Sequence, residues 1–206
     1  MTDTRDHSSL ASPRARFDQG APITGLVLTG GGARAAYQVG ALRALSELLG
    51  SQASPFQILA GASAGAINST GLAIYGDDFR AGVTHLLATW RSLTPDQVYR
   101  TDVGSLFSIG AGWMRQLSTG GVFGAPSVNA LLDTTPLRRL LEHALPTQHI
   151  RKHIDRGHLR GVAVTATSYH TGTAMSFFDG AADIAPWARS SRLGTRETLT
   201  VPHVLA

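Results

Sequence analysis

The stretch FQILAGASAGAINSTGLAI, residues 56–74, reads as two elements joined by a single tight turn. Phe56 to Gly61 is a short apolar run ending in glycine, the pattern of a strand. The residues after Ser63 are small and suit a helix packed close to its neighbours. Between them stands Gly61-Ala62-Ser63-Ala64-Gly65, a G-x-S-x-G run in the strand-to-helix context that a nucleophile elbow requires. A serine at such a turn projects its hydroxyl above the sheet edge. Gly61 and Gly65 must then lack side chains, because the turn brings main chain close on both sides. Ala62 and Ala64 keep the walls of the turn small. A helix beginning near Ala64 points its positive end at Ser63, which favours a developing alkoxide. A glycine turn that serves only strand–helix packing has the same residues, but the context favours a nucleophile.

Outward from this turn, the preceding chain repeats its plan. ITGLVLT, residues 23–29, reads as a buried strand, short, β-branched and bounded by glycine. It ends in Gly30-Gly31-Gly32-Ala33-Arg34, and ARAAYQVGALRALSELLG then carries apolar residues at helical spacing as far as Gly50, a C-terminal cap. Strand, glycine turn and helix, twice over, predict an α/β fold with a central, mostly parallel sheet flanked by helices. Downstream, DDFRAGVTHLLATWRSL is a helix capped by Asp77 or Asp78. TPLRRLLEHAL is another, with Thr135 as cap and Pro136 in its first turn. LRGVAVTATSYHTGTAMSFFDG predicts two strands joined by a hairpin at YHTGT. APWARSSRLG reads as loop, and ETLTVPHVLA as the start of a helix. Residues 1–22 are rich in Ser, Pro, Arg and Asp and read as a disordered tail, leaving 23–206 as one domain. Val103 to Pro126 mixes glycine with large apolar groups, as either a mobile flap or a packed excursion.

The first glycine turn has two chemical readings. Gly31, Gly32 and Ala33 at a helix start present main-chain N–H groups that can hold an oxyanion, supported by Gly30 and Arg34. The Ala64 N–H adds another donor. Gly30, Gly32 and Ala35 also fit the permissive dinucleotide fingerprint G-x-G-x-x-G/A. That reading needs an acidic residue at the end of the next strand, to bind a ribose. No Asp or Glu occurs from Gly50 through Ser69, which counts against it. A phosphate-binding P-loop fails too, because Lys152 is the only lysine and follows neither turn.

Composition narrows the remaining classes. The 206 residues are 43% hydrophobic, enough for one sizeable core. The formal net charge of +4 comes from scattered arginines without a basic run, so no nucleic-acid partner is expected. There is no cysteine, which removes disulfides and thiolate chemistry. No signal peptide or membrane-length apolar run is seen. His149 and His153, four apart, have the spacing of metal ligands. Their polar setting, QHIRKHIDRGH, reads instead as a solvated helix face, so no metal is expected. A Ser-His-Asp triad is open by chain order through His170 or His203.

TGGGARAAYQVGAL followed by GASAGAIN resembles the patatin-like phospholipases, and the two motifs in this order are more specific than either alone. The resemblance implies a lipid acyl hydrolase with a Ser–Asp dyad. Ser63 would be the nucleophile and Gly31 to Ala33 the oxyanion loop, without a cofactor. Ala35 stands where many relatives carry glycine. The family's dyad aspartate lies in a D-G-[GA] motif, which Asp179-Gly180-Ala181 matches. In relatives an Ala- and Pro-containing segment precedes that motif, and here HVLA begins such a segment. The base is therefore expected beyond Ala206, the domain to be incomplete at its C-terminus, and turnover by this chain to be weak. The expected partner is a lipid or phospholipid, with the protein cytoplasmic and in peripheral contact with a membrane through the Val103–Pro126 stretch. The alternative is a non-catalytic α/β domain that binds lipid or nucleotide.

Overall fold

The computed structural model describes residues 22–50, 52–98, 135–168 and 170–206. Residues 1–21 of the expected tail and the Val103–Pro126 stretch lie outside them. In chain order the elements are β1 (Gly25–Leu28), α1 (Ala35–Leu49), β2 (Ile58–Ala62), α2 (Ala64–Ile74), α3 (Phe79–Ser92) and α4 (Pro95–Val98). There follow α5 (Thr135–Ala144), α6 (Gln148–Asp155), β3 (Gly161–Thr167), β4 (Ala174–Gly180), β5 (Trp187–Arg189), β6 (Arg192–Arg196) and α7 (Val201–Leu205). The described residues fall into two compact units, one within residues 1–90 and 145–206, the other within residues 91–144. Within the second, α4 packs against α5.

The first unit is built on a six-stranded mixed sheet in the order β1-β2-β3-β4-β6-β5. β1, β2 and β3 are parallel, as the repeated strand–turn–helix pattern predicts. β4 returns antiparallel to β3 through the expected hairpin, and β6 runs parallel to β4. The small-residue helix α2 lies against β1, β2 and β3. Every residue in it except Ile67 is buried. Its glycines allow that closeness: at Gly71 a Cβ would meet Leu86 at 2.5 Å. Leu59, Val162, Val164, Ile150 and Leu159 complete the core around it. Each such side chain contributes about 1.5–3 kcal/mol of burial free energy.

The helix ends follow the sequence signals. α1 buries Ala35, Val39 and Leu42 on one face and stops at Gly50, whose φ of 62° is left-handed. Of the two candidate caps of α3, it is the Asp78 carboxylate that accepts the Ala81 N–H, at 2.9 Å. At α7, Thr200 caps the helix and the His203 ring accepts the Thr200 N–H in return.

Two expectations are corrected. APWARSSRLG is not loop but most of the antiparallel β5–β6 hairpin, turning at Ser191 with φ 57°. β5 is exposed along its length, so no buried face imprints an alternating apolar pattern on its sequence. Tertiary packing holds it instead. Trp187 stacks on Phe178 at 4.9 Å, and a Cβ at Gly194 would stand 2.2 Å from the Trp187 ring. The second correction concerns QHIRKHIDRGH, which is not a uniformly solvated face. His153 is buried, and that burial lowers its affinity for a proton below the ordinary histidine range.

Candidate functional site

Ser63 forms the one-residue joint between β2 and α2, with φ 54° and ψ −128°. A serine at positive φ is unfavourable, and such strain concentrates at functional turns. Its neighbours explain how the conformation is enforced. A Cβ at Gly65 would lie 2.1 Å from the Leu28 carbonyl oxygen, and one at Gly61 would lie 2.3 Å from that of Gly65. The two motif glycines thus let α2 start directly against the ends of β1 and β2. Ala62 is half-buried, Ala64 is buried, and Ser63 itself is exposed. Among the described residues, none hydrogen-bonds to the Ser63 hydroxyl.

The triple-glycine turn meets this serine. In the β1–β2 register Leu28 pairs with Gly61, so Gly30 arrives level with Ser63. A Cβ on Gly30 would stand 3.1 Å from Ser63 Cβ and 3.7 Å from its hydroxyl oxygen. Gly32, at φ 54°, opens a short 3-10 turn, Gly32–Arg34, that runs into α1. The first N–H groups of such a turn have no partner within it. Arg34 is exposed and makes no ion pair among the described residues. The structure therefore brings together Gly30, Ser63 and the start of the Gly31–Ala33 turn at the C-terminal edge of β1 and β2.

A buried polar network behind the two turns was not anticipated. The Asn68 side-chain amide donates to the Ala35 carbonyl at 3.1 Å and to Gln38 Oε1 at 3.0 Å. Gln38 donates in turn to the Thr29 carbonyl, at the foot of the glycine turn, at 2.8 Å. Trp90 Nε1–H donates to Asn68 Oδ1 at 2.7 Å. Asn68 is fully buried, and both its amide nitrogen and its carbonyl oxygen are hydrogen-bonded. This network ties the first turn of α1 to α2 and so sets one glycine turn against the other. The sequence signal was available: an asparagine five residues after a candidate nucleophile, within an otherwise small-residue helix.

Asp179 stands elsewhere. It pairs across the sheet with Val162, which pairs with Leu59, four residues before Ser63. At about 3.3 Å per residue and 4.8 Å per strand, the Asp179 and Ser63 Cα atoms lie on the order of 16 Å apart. Asp179 is buried and accepts from Arg151 Nη1 at 2.7 Å. This DGA match is therefore a structural ion pair at the opposite edge of the sheet. Of the two histidines considered for a triad, His203 has its Nδ1 engaged in capping α7. His170 is exposed beside the β3–β4 turn.

Fold and turn together define an α/β domain organised around an exposed serine on a strand-to-helix joint. A family model for the patatin-like phospholipases matches residues 26–194. The chain belongs to that family, one of lipid acyl hydrolases. It is also similar to the crystal structure of the type III effector protein ExoU, at 20% sequence identity and a TM-score of 0.41. That match covers 79% of this chain and 36% of the ExoU chain, so this chain spans about a third of its length. No curated protein matches the chain.

Proposed function

We propose that the chain is a lipid acyl hydrolase domain, of phospholipase A or lysophospholipase type, with Ser63 as its nucleophile. The observation that carries this reading is Ser63: exposed, held at φ 54° between β2 and α2, with Gly30 set against it. Ser63 Oγ attacks the ester carbonyl carbon and its proton passes to an aspartate, forming a Ser–Asp dyad. The register argues against Asp179 in that role. The N–H groups of Gly31, Gly32 and Ala33 receive the oxyanion of the tetrahedral intermediate, aided by the Ala64 N–H. Collapse expels the alcohol, which takes up the proton, and water then hydrolyses the acyl-enzyme. Arg34 supplies a cation for a lipid phosphate at the mouth of the site. The core reaction calls for no metal or organic cofactor. Among the described residues no helix is long and apolar enough to cross a membrane. Peripheral contact with a lipid surface is part of the proposal.

The test is covalent labelling by a fluorophosphonate probe, with the modified residue located by peptide mass spectrometry. The expected result is labelling at Ser63 that Ser63→Ala abolishes. A folded chain that binds phospholipid vesicles but takes no label at Ser63 would instead be a binding domain without chemistry.

A further inference from the structure

α2 is 11 residues long, so its two ends are about 16 Å apart. Ser63 stands before the first. Past the other end three side chains from separate places in the sequence converge: Asp77, His153 and His158. His153 Nδ1 faces His158 Nδ1 at 3.3 Å, and the Asp77 carboxylate oxygen lies 3.7 Å from the same His153 nitrogen. One donor atom from each lies within 4.8 Å of the other two.

The geometry points to a divalent transition-metal site of the zinc class, formed by Asp77, His153 and His158. With metal–donor bonds of about 2.0–2.1 Å, two donors of a tetrahedral site stand about 3.3 Å apart. That is the separation of the two imidazole nitrogens. Two imidazoles meeting through the same nitrogen need unlike tautomers to hydrogen-bond, whereas a metal ion takes a lone pair from each. The donor set, two imidazoles and one carboxylate, suits zinc rather than calcium or magnesium, which prefer all-oxygen sites.

The surroundings fit that assignment. Gly76 lets the Asp77 turn sit against His153, since a Cβ there would come within 2.9 Å of His153 Cβ. His153 is buried, His158 half-buried and Asp77 exposed, so the cluster opens to solvent on its carboxylate side. That leaves a route for the ion and room for a water as fourth ligand. The position is remote from Ser63, so the ion would act on the fold. It would fasten the end of α2 to the connection between α6 and β3.

The experiment is a zinc titration of the chelator-stripped 206-residue chain against a chromophoric competitor, with thermal unfolding followed in parallel. One equivalent of zinc should bind and raise the unfolding temperature. His158→Ala should lose both effects. His149→Ala, on the helix that carries His153 but outside the cluster, should keep both. Cobalt(II) should give the visible band of a four-coordinate ion in the unaltered chain and not in His158→Ala. If His158→Ala does not fold, Asp77→Ala at its exposed position reads the same loss. No stoichiometric zinc, or equal binding by the cluster variants, overturns the assignment. So does a loss in His149→Ala as large as that in His158→Ala.

Discussion

Ser63 occupies a backbone conformation that glycine tolerates and serine does not. Strain of this kind is worth on the order of 1–3 kcal/mol. Ser63→Gly should therefore raise the free energy of unfolding by about 1 kcal/mol in urea denaturation while abolishing probe labelling. Ser63→Ala keeps the strain and should leave stability within about 0.5 kcal/mol of the parent. A serine placed only for packing would show no such opposition between stability and reactivity. Two positions in the same helix carry further tests. Thr70 Oγ1 is buried without a hydrogen-bond partner among the described residues. Thr70→Val removes that orphaned hydroxyl at nearly constant shape and should be neutral or stabilising by up to about 1 kcal/mol. Asn68 is the reverse case, since its amide joins α1, α2 and Trp90. Asn68→Ala should cost about 1–3 kcal/mol and slow Ser63 labelling, because the glycine turn loses its tie to the nucleophile helix.

At the scale of the element, the glycines divide into those the packing requires and those it does not. At Gly65 and Gly61 a methyl group would stand 2.1 Å and 2.3 Å from main-chain oxygens, which cannot move without parting α2 from the sheet. Gly65→Ala should therefore abolish the cooperative thermal transition. Gly40, within α1, has nothing within 4 Å of a built Cβ. Gly40→Ala should stabilise by about 0.5–1 kcal/mol through helix propensity alone. The contrast checks that close approach, and not glycine content, shapes the strand–helix joint. The elements with a buried face were legible in the sequence: α1, β2, α2 and the β3–β4 hairpin all fall where the pattern put them. β1 falls in place too, but as an edge strand with Val27 exposed and not as the buried strand expected, because among the described residues only β2 pairs with it. The β5–β6 hairpin was not, because its exposed edge strand depends on Trp187 lying over Gly194 and Phe178.

For the whole molecule, sheet register decides which residues share a site. Gly30 and Ser63 are 33 positions apart yet meet, because β1 and β2 are parallel neighbours in a register that levels their ends. Asp179 has the right local motif, but β4 runs antiparallel to β3 and delivers it to the far edge. Asp179→Asn should weaken the fold by about 1 kcal/mol, because its partner Arg151 is half-exposed and also pairs with Asp155, yet leave the rate of Ser63 labelling per folded molecule unchanged. Loss of labelling in that variant, with the fold intact, would restore Asp179 as the proton acceptor. The sequence by itself determined the α/β class, the two glycine turns and the serine between β2 and α2. Those features are local: apolar runs, glycine positions and helix caps act over a few residues. Only the tertiary structure decided that Asp179 is an ion-pair partner, that Asn68 binds the two turns together, and that His153 is buried beside His158 and Asp77. Each of those outcomes depends on strand direction, register or the meeting of distant segments, which short-range pattern does not encode.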